Sequence, residues 1–188
     1  MGYVLLGGKQ HYDRFMALQK LIADDETLRF NPSSIQTHRK DNMLVQAQKI
    51  IKFYDKTEFD LWTKFKETSL FNEQLPLSLH FTMFLITLNN LCTDKQGEDF
   101  FERANKGEIL GCYGQTELSH GSDIQNLQTT ATYDIETQEF IIDTPNTGAI
   151  KWWIGELGNY ANHAIIFAQL IIKNKKYGLH AFLVPIRD

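Results

Sequence analysis

Near residue 110 the chain changes its periodicity, and that change limits the folds open to it. Before it, apolar side chains recur every three to four positions. Phe15, Leu18, Leu21 and Ile22 share one helical stripe, and Met43, Ala47, Ile50 and Tyr54 share another. Asn31-Pro32-Ser33-Ser34 breaks the pattern between them. A shorter helix over Phe59–Lys66 would set Phe59, Trp62 and Phe65 on one side. Leu77, Phe81, Phe84, Leu88 and Leu91 form a further stripe, nearly free of charge, which suits a helix enclosed on most sides. Thr93-Asp94-Lys95-Gln96 has capping-box spacing, so a helix through Phe100 and Phe101 ends before Gly107. Beyond Gly107 the apolar runs are β-branched and aromatic. Thr129–Tyr133 and Phe140–Thr144 flank the polar Asp134–Glu139, a hairpin with a loop of several residues. His163–Ile172 and Tyr177–Ile186 flank Lys173-Asn174-Lys175-Lys176, a second one. Helices first and strands after give an α+β chain, helical over 1–110 and β-rich over 111–188.

Bulk properties remove several function classes. A chain of 188 residues with 43% hydrophobic and 22% charged residues is a globular balance, large enough to bury a core. The net charge of −4 comes from interspersed charges and gives no electrostatic case for a nucleic-acid partner. The uncharged run Gln74–Thr93 holds Pro76, Ser78, His80, Asn89 and Asn90, which fits a buried helix and not a membrane span. The apolar start is too short for a signal peptide, and neither a myristoylation signal nor a Ser-Lys-Leu tail is present. The chain stops directly after a strand-like run, as though cut. Cys92 and Cys112 have no paired or metal-like spacing, which points to a reduced compartment, inert thiols and no metal site.

Residues 111–123, Gly-Cys-Tyr-Gly-Gln-Thr-Glu-Leu-Ser-His-Gly-Ser-Asp, gather glycine hinges with the hydroxyls of Tyr113, Thr116 and Ser122. Some thirty residues on comes Lys151-Trp152-Trp153-Ile154-Gly155-Glu156-Leu157-Gly158. A hydroxyl-rich turn beside an aromatic plane suits a large, flat, hydrogen-bonding ligand such as a flavin, whose faces need cover and whose edge needs donors. Taken singly, these residues have plainer readings. Thr116 or Ser122 alone is a turn-capping hydroxyl. Glu117 is a structural ion pair or a helix-end contact, and His120 a loop histidine. Lys173, Lys175 and Lys176 form a solvated hairpin tip more readily than a CoA-phosphate contact. Gly155 and Gly158 lack the third glycine of a dinucleotide fingerprint.

For Thr116 and Ser122 the motifs taken together decide otherwise, while the plain readings of the other residues stand. Tyr-Gly-Gln-Thr-Glu-Leu-Ser-His-Gly-Ser at 113–122 resembles the flavin and substrate motif of the acyl-CoA dehydrogenase and oxidase superfamily, in the form found in peroxisomal acyl-CoA oxidases. The resemblance runs on through Leu127–Asp134, Lys151-Trp152-Trp153, His163-Ala164 and Gly178–Phe182, and back through Leu77–Phe84 and the Thr93–Gln96 cap. Leu21–Asp25 fits the helical N-terminus of those oxidases more loosely. Departures are Gly114 for the usual Ala, Ser119 for Gly, and Ile154-Gly155-Glu156 for Pro-Gly-Gly, which adds a charge near the flavin.

The resemblance implies a helical N-terminal domain over 1–110 and part of an antiparallel β-barrel middle domain over 111–188. It implies FAD as cofactor, held by Thr116 through hydroxyl and backbone, by the backbone of Gly155, by Trp153 beside the ring and by Tyr113 on the same strand. Ser122 matches a position that touches acyl-CoA. The activity implied is oxidation of fatty acyl-CoA by molecular oxygen to trans-2-enoyl-CoA and hydrogen peroxide, in a peroxisomal homodimer. No catalytic residue is expected in this chain, because the family's glutamate base belongs to a C-terminal domain. Two other readings stand beside the oxidase fragment: an inactive structural subunit, and a stand-alone flavin- or acyl-CoA-binding module.

Overall fold

Two compact units, Met1–Ser78 and Leu79–Asp188, make up the chain. The computed structural model describes residues 2–57, 70–71 and 76–187, with only the backbone at 34 and 35. The helix expected over Phe59–Lys66 lies outside the described residues.

In the first unit a short α1 (Gly2–Leu5) is followed by Gly7 and Gly8, whose φ of 81° and 120° turn the chain into α2 (Lys9–Asp24). The Pro32 break is a 3₁₀ turn, Pro32–Gln36, ahead of α3 (Arg39–Asp55). His38 caps α3, its Nδ1 accepting from the Lys40 N–H at 3.4 Å. Leu28, Ile50, Phe53 and Phe71 are buried, with Phe53 and Phe71 edge to face at 5.1 Å. Asp25, just past α2, receives Lys52 Nζ at 2.8 Å from the last turn of α3 and Lys56 Nζ at 2.6 Å from the residue that follows it. Those two ammonium groups hold its carboxyl well below the usual range.

The second unit opens with a π-helical turn, His80–Phe84, that runs into α4 (Leu85–Leu91). Of the expected stripe Phe81, Phe84 and Leu88 are buried, joined by Leu85, whereas Leu77 lies in a half-buried turn and Leu91 at the helix end is exposed. Thr93 and Gln96 form a reciprocal capping box on α5 (Asp94–Gln96). A second π turn, Gly97–Phe101, leads into α6 (Glu102–Asn105), and the helical part ends at Gly107 with φ 79°. Among the described residues no helix is long and apolar enough to cross a membrane.

The sheet is organised by one long strand. β1 (Gly111–Gly114) and β2 (Thr130–Asp134) both pair in parallel with β4 (His163–Ile172), Gly111 opposite His163 and Thr130 opposite Gln169. β2 also pairs antiparallel with β3 (Glu139–Asp143), and β4 pairs antiparallel along its length with β5 (Lys175–Pro185). The sheet is therefore mixed, and it is open among the described residues. The expectation of an antiparallel sheet meets two parallel pairings. Only β2–β3 and β4–β5 are joined by hairpins; β1 and β2 reach β4 through long connections, which permit parallel pairing. The second hairpin is tighter than its lysine-rich sequence implied. Lys173 and Asn174 alone turn the chain, with φ of 49° and 60°, as a two-residue loop of the primed type demands.

Candidate functional site

β1 delivers the chain into the turn that carries Thr116. Residues 116–119 lie antiparallel to 148–152. Trp152 N–H donates to the Thr116 carbonyl at 2.9 Å, Leu118 N–H to Ile150 at 3.0 Å and Ser119 N–H to Gly148 at 3.0 Å. The two motifs read from the sequence are thus paired by backbone, although about thirty residues separate them.

Glu117 lies under this ladder with its side chain at 0% exposure. Its carboxylate accepts from the N–H groups of Gln128 and Thr129, both at 2.8 Å, and from the Thr129 hydroxyl at 2.6 Å. Lys151 Nζ adds a fourth contact at 3.2 Å. Burial by itself would push this carboxyl up; the Thr129 hydroxyl, the two backbone donors and the Lys151 charge outweigh it and hold the group below its ordinary value. Lys151 Nζ also donates to the carbonyls of Gln115 at 3.0 Å and Phe167 at 2.7 Å. Burial pushes the Lys151 ammonium down, against the pull of Glu117. The ion pair expected for Glu117 is present. His120 Nδ1 stands 3.3 Å from the same carboxylate, in ion-pair range without hydrogen-bond alignment.

The ladder fixes the residues on both sides of Thr116 and leaves Thr116 itself open. Its carbonyl is taken by Trp152, while its hydroxyl and N–H make no hydrogen bond among the described residues. Trp153 follows directly, 86% exposed and at φ 60°, a left-handed backbone that bulky residues rarely adopt. Gly155 backs onto Leu79, whose Cδ1 would sit 2.3 Å from a Cβ added there, and its N–H has no acceptor among the described residues. Arg187 holds the loop beyond, donating to the carbonyls of Ala161, at 2.5 Å, and Leu157. The charge of Glu156 is met by the Asn159 side-chain amide at 2.7 Å.

Tyr113 takes a different part. Its ring packs on Phe167 at 5.3 Å and its hydroxyl donates to the Gln115 side chain at 2.7 Å. Ser122 is exposed, its carbonyl accepting from Ile124 N–H at 3.0 Å, and no contact joins it to Trp153 or Gly155 among the described residues. Thr116, Trp153 and Gly155 are brought into neighbouring segments, with Tyr113 on the strand that feeds them.

The role of Lys151 was missed in the sequence, although a signal exists. It is the sole Lys or Arg between Lys106 and Lys173. Its acid partner, Glu117, lies in the other of the two motifs.

The family model for the N-terminal region of acyl-coenzyme A oxidase matches residues 1–110. This chain belongs to the acyl-CoA oxidase family. Acyl-coenzyme A oxidase acox-1.2 of Caenorhabditis elegans is 52% identical over 113 residues, 60% of this chain and 17% of that protein. Peroxisomal acyl-coenzyme A oxidase 1 of Bos taurus is 41% identical over 193 residues, 98% of this chain and 29% of that protein. The structure of acyl-CoA oxidase-2 of Caenorhabditis elegans bound with FAD, ascaroside-CoA and ATP matches with a TM-score of 0.85 and 36% identity, covering 100% of this chain and 30% of that one. The chain thus spans less than a third of the length of these oxidases.

Chemically, this chain presents two N–H groups and a hydroxyl that are uncommitted among the described residues, next to an exposed indole. Such a set can donate to the polar edge of a planar ring while the indole covers apolar area.

Proposed function

We propose that this chain is the N-terminal part of an FAD-dependent acyl-CoA oxidase of fatty acid β-oxidation, working in the peroxisome. The reaction is acyl-CoA plus molecular oxygen to trans-2-enoyl-CoA plus hydrogen peroxide. The observation that carries this reading is Thr116, whose carbonyl is spent on Trp152 while its hydroxyl and N–H stay uncommitted among the described residues, beside Trp153. In the relative bound with FAD and ascaroside-CoA, the same chain segment belongs to a flavin-loaded oxidase.

In this reading Thr116 donates to the flavin edge through N–H and hydroxyl, and the Gly155 backbone approaches the ring. Trp153 shields it, and Tyr113 supports the strand behind. Ser122 serves the acyl-CoA from its exposed turn. When bound, FAD supplies the acceptor for the hydride that leaves the β-carbon and the route for electrons to oxygen. This chain's share is to bind and orient. It is assigned no base: by family resemblance the α-proton goes to a glutamate of the C-terminal domain. Residues 1–110 form the helical domain, a division supported by the extent of the family match. Residues 111–188 form part of a β-barrel middle domain, and the whole enzyme is a homodimer.

The test is to incubate the purified chain with FAD, remove the excess and record the visible spectrum. A flavin band retained in proportion to protein is the expected result. A folded chain that retains none overturns the flavin assignment and leaves a structural subunit.

A further inference from the structure

We infer that Glu117 and Lys151 act as a positioning pair, locking the Thr116 turn to the Trp152–Gly155 loop so that the open donors of both face one ligand. Lys151 Nζ grips the residue before Thr116 through the Gln115 carbonyl at 3.0 Å and the residue after it through the Glu117 carboxylate at 3.2 Å. The residue next to Lys151, Trp152, takes the carbonyl of Thr116 itself at 2.9 Å. Three successive residues of one segment are therefore held by two successive residues of the other. The pair is anchored at depth, Glu117 by the Gln128 and Thr129 N–H groups and Lys151 by the Phe167 carbonyl on β4.

Nothing in this arrangement leaves either charged group free to meet a ligand. Every oxygen of the Glu117 carboxylate is occupied, and Lys151 has three acceptors for its three protons. The pair therefore works through Thr116 and not by touching flavin or substrate. A buried ion pair of this kind adds little net stability over an apolar replacement; register is the better-attested use of one. The consequence for flavin rests on the function proposed above, whereas the locking of the two segments does not.

The experiment compares Lys151→Met, Glu117→Gln and the double variant in the full 188-residue chain. Without flavin, hydrogen exchange at the Leu118 and Trp152 amides is expected to rise about tenfold or more in Lys151→Met, with the β4–β5 ladder unchanged. With FAD, affinity is expected to fall roughly tenfold, the equivalent of one well-made hydrogen bond, with a shifted visible band. The double variant removes both buried charges, so its melting temperature recovers while flavin affinity and exchange protection do not. Should Lys151→Met fail to fold, the double variant carries the same comparison. Unchanged exchange at Leu118 and Trp152 overturns the inference, as does a double variant that regains flavin affinity along with its melting temperature. If the unaltered chain takes up no FAD, the flavin reading falls alone, and the exchange measurement still decides the role of the pair.

Discussion

The ring of Phe84 fills the space that a side chain on Gly111 would need. A Cβ built there lies 2.0 Å from Cδ2 and 2.1 Å from Cε2 of that ring. The π-helical turn His80–Phe84 and strand β1 approach this closely only because residue 111 has no side chain. Gly111→Ala is expected to cost about 1–3 kcal/mol through overpacking, read as a lowered urea midpoint. Phe84→Leu in the same chain should recover part of the loss. An alanine variant as stable as the parent contradicts this account of the contact.

A second tie crosses the same junction. His80 is fully buried; its Nδ1 accepts from the Gly111 N–H and its Nε2 donates to the Ala104 carbonyl, each at 3.1 Å. His80→Phe keeps the packing against Phe84 and removes both bonds, leaving a buried donor and a buried acceptor behind. A loss of about 2–4 kcal/mol in denaturant unfolding is expected, since each abandoned group costs roughly 1–3 kcal/mol. A change inside experimental error would show that His80 serves only as filler.

Acid should weaken the fold through two carboxylates. Asp25 is lowered from 3.8 by Lys52 and Lys56. Glu117 is lowered from 4.5 because its donors outweigh its burial. Both folded values lie below the unfolded ones, so the stability they give is whole above the unfolded values and drains as pH falls through 4.5 and 3.8 and below. The melting temperature is therefore expected to be level near neutrality and to drop on acidification, with Asp25→Asn and Glu117→Gln each flattening the drop. An acid branch that both variants leave untouched would place the titration elsewhere.

Much of this was legible in the sequence because it depends on local rules. The Thr93–Gln96 cap, the end at Gly107 and both hairpins follow from residue types at fixed spacing, and each stands close to where those spacings put it. The convergence of Thr116 with Trp153 came from the family motif and not from periodicity. What stayed hidden depends on partners far apart in the chain. No spacing rule says that β1 and β2 both lie in parallel on β4, because parallel pairing is set by tertiary packing of long connections. The tasks of Lys151 and Arg187 were hidden for the same reason, since each donates mainly to backbone carbonyls, which carry no residue identity.

The proposal that Thr116 keeps its hydroxyl and N–H for a flavin is tested directly by one titration. FAD is added to the chain and to Thr116→Val, which keeps the shape and deletes the hydroxyl, with flavin fluorescence as the readout. Saturable binding by the parent and roughly tenfold weaker binding by the variant are expected, one hydrogen bond's worth. Equal affinity in the two chains would contradict it.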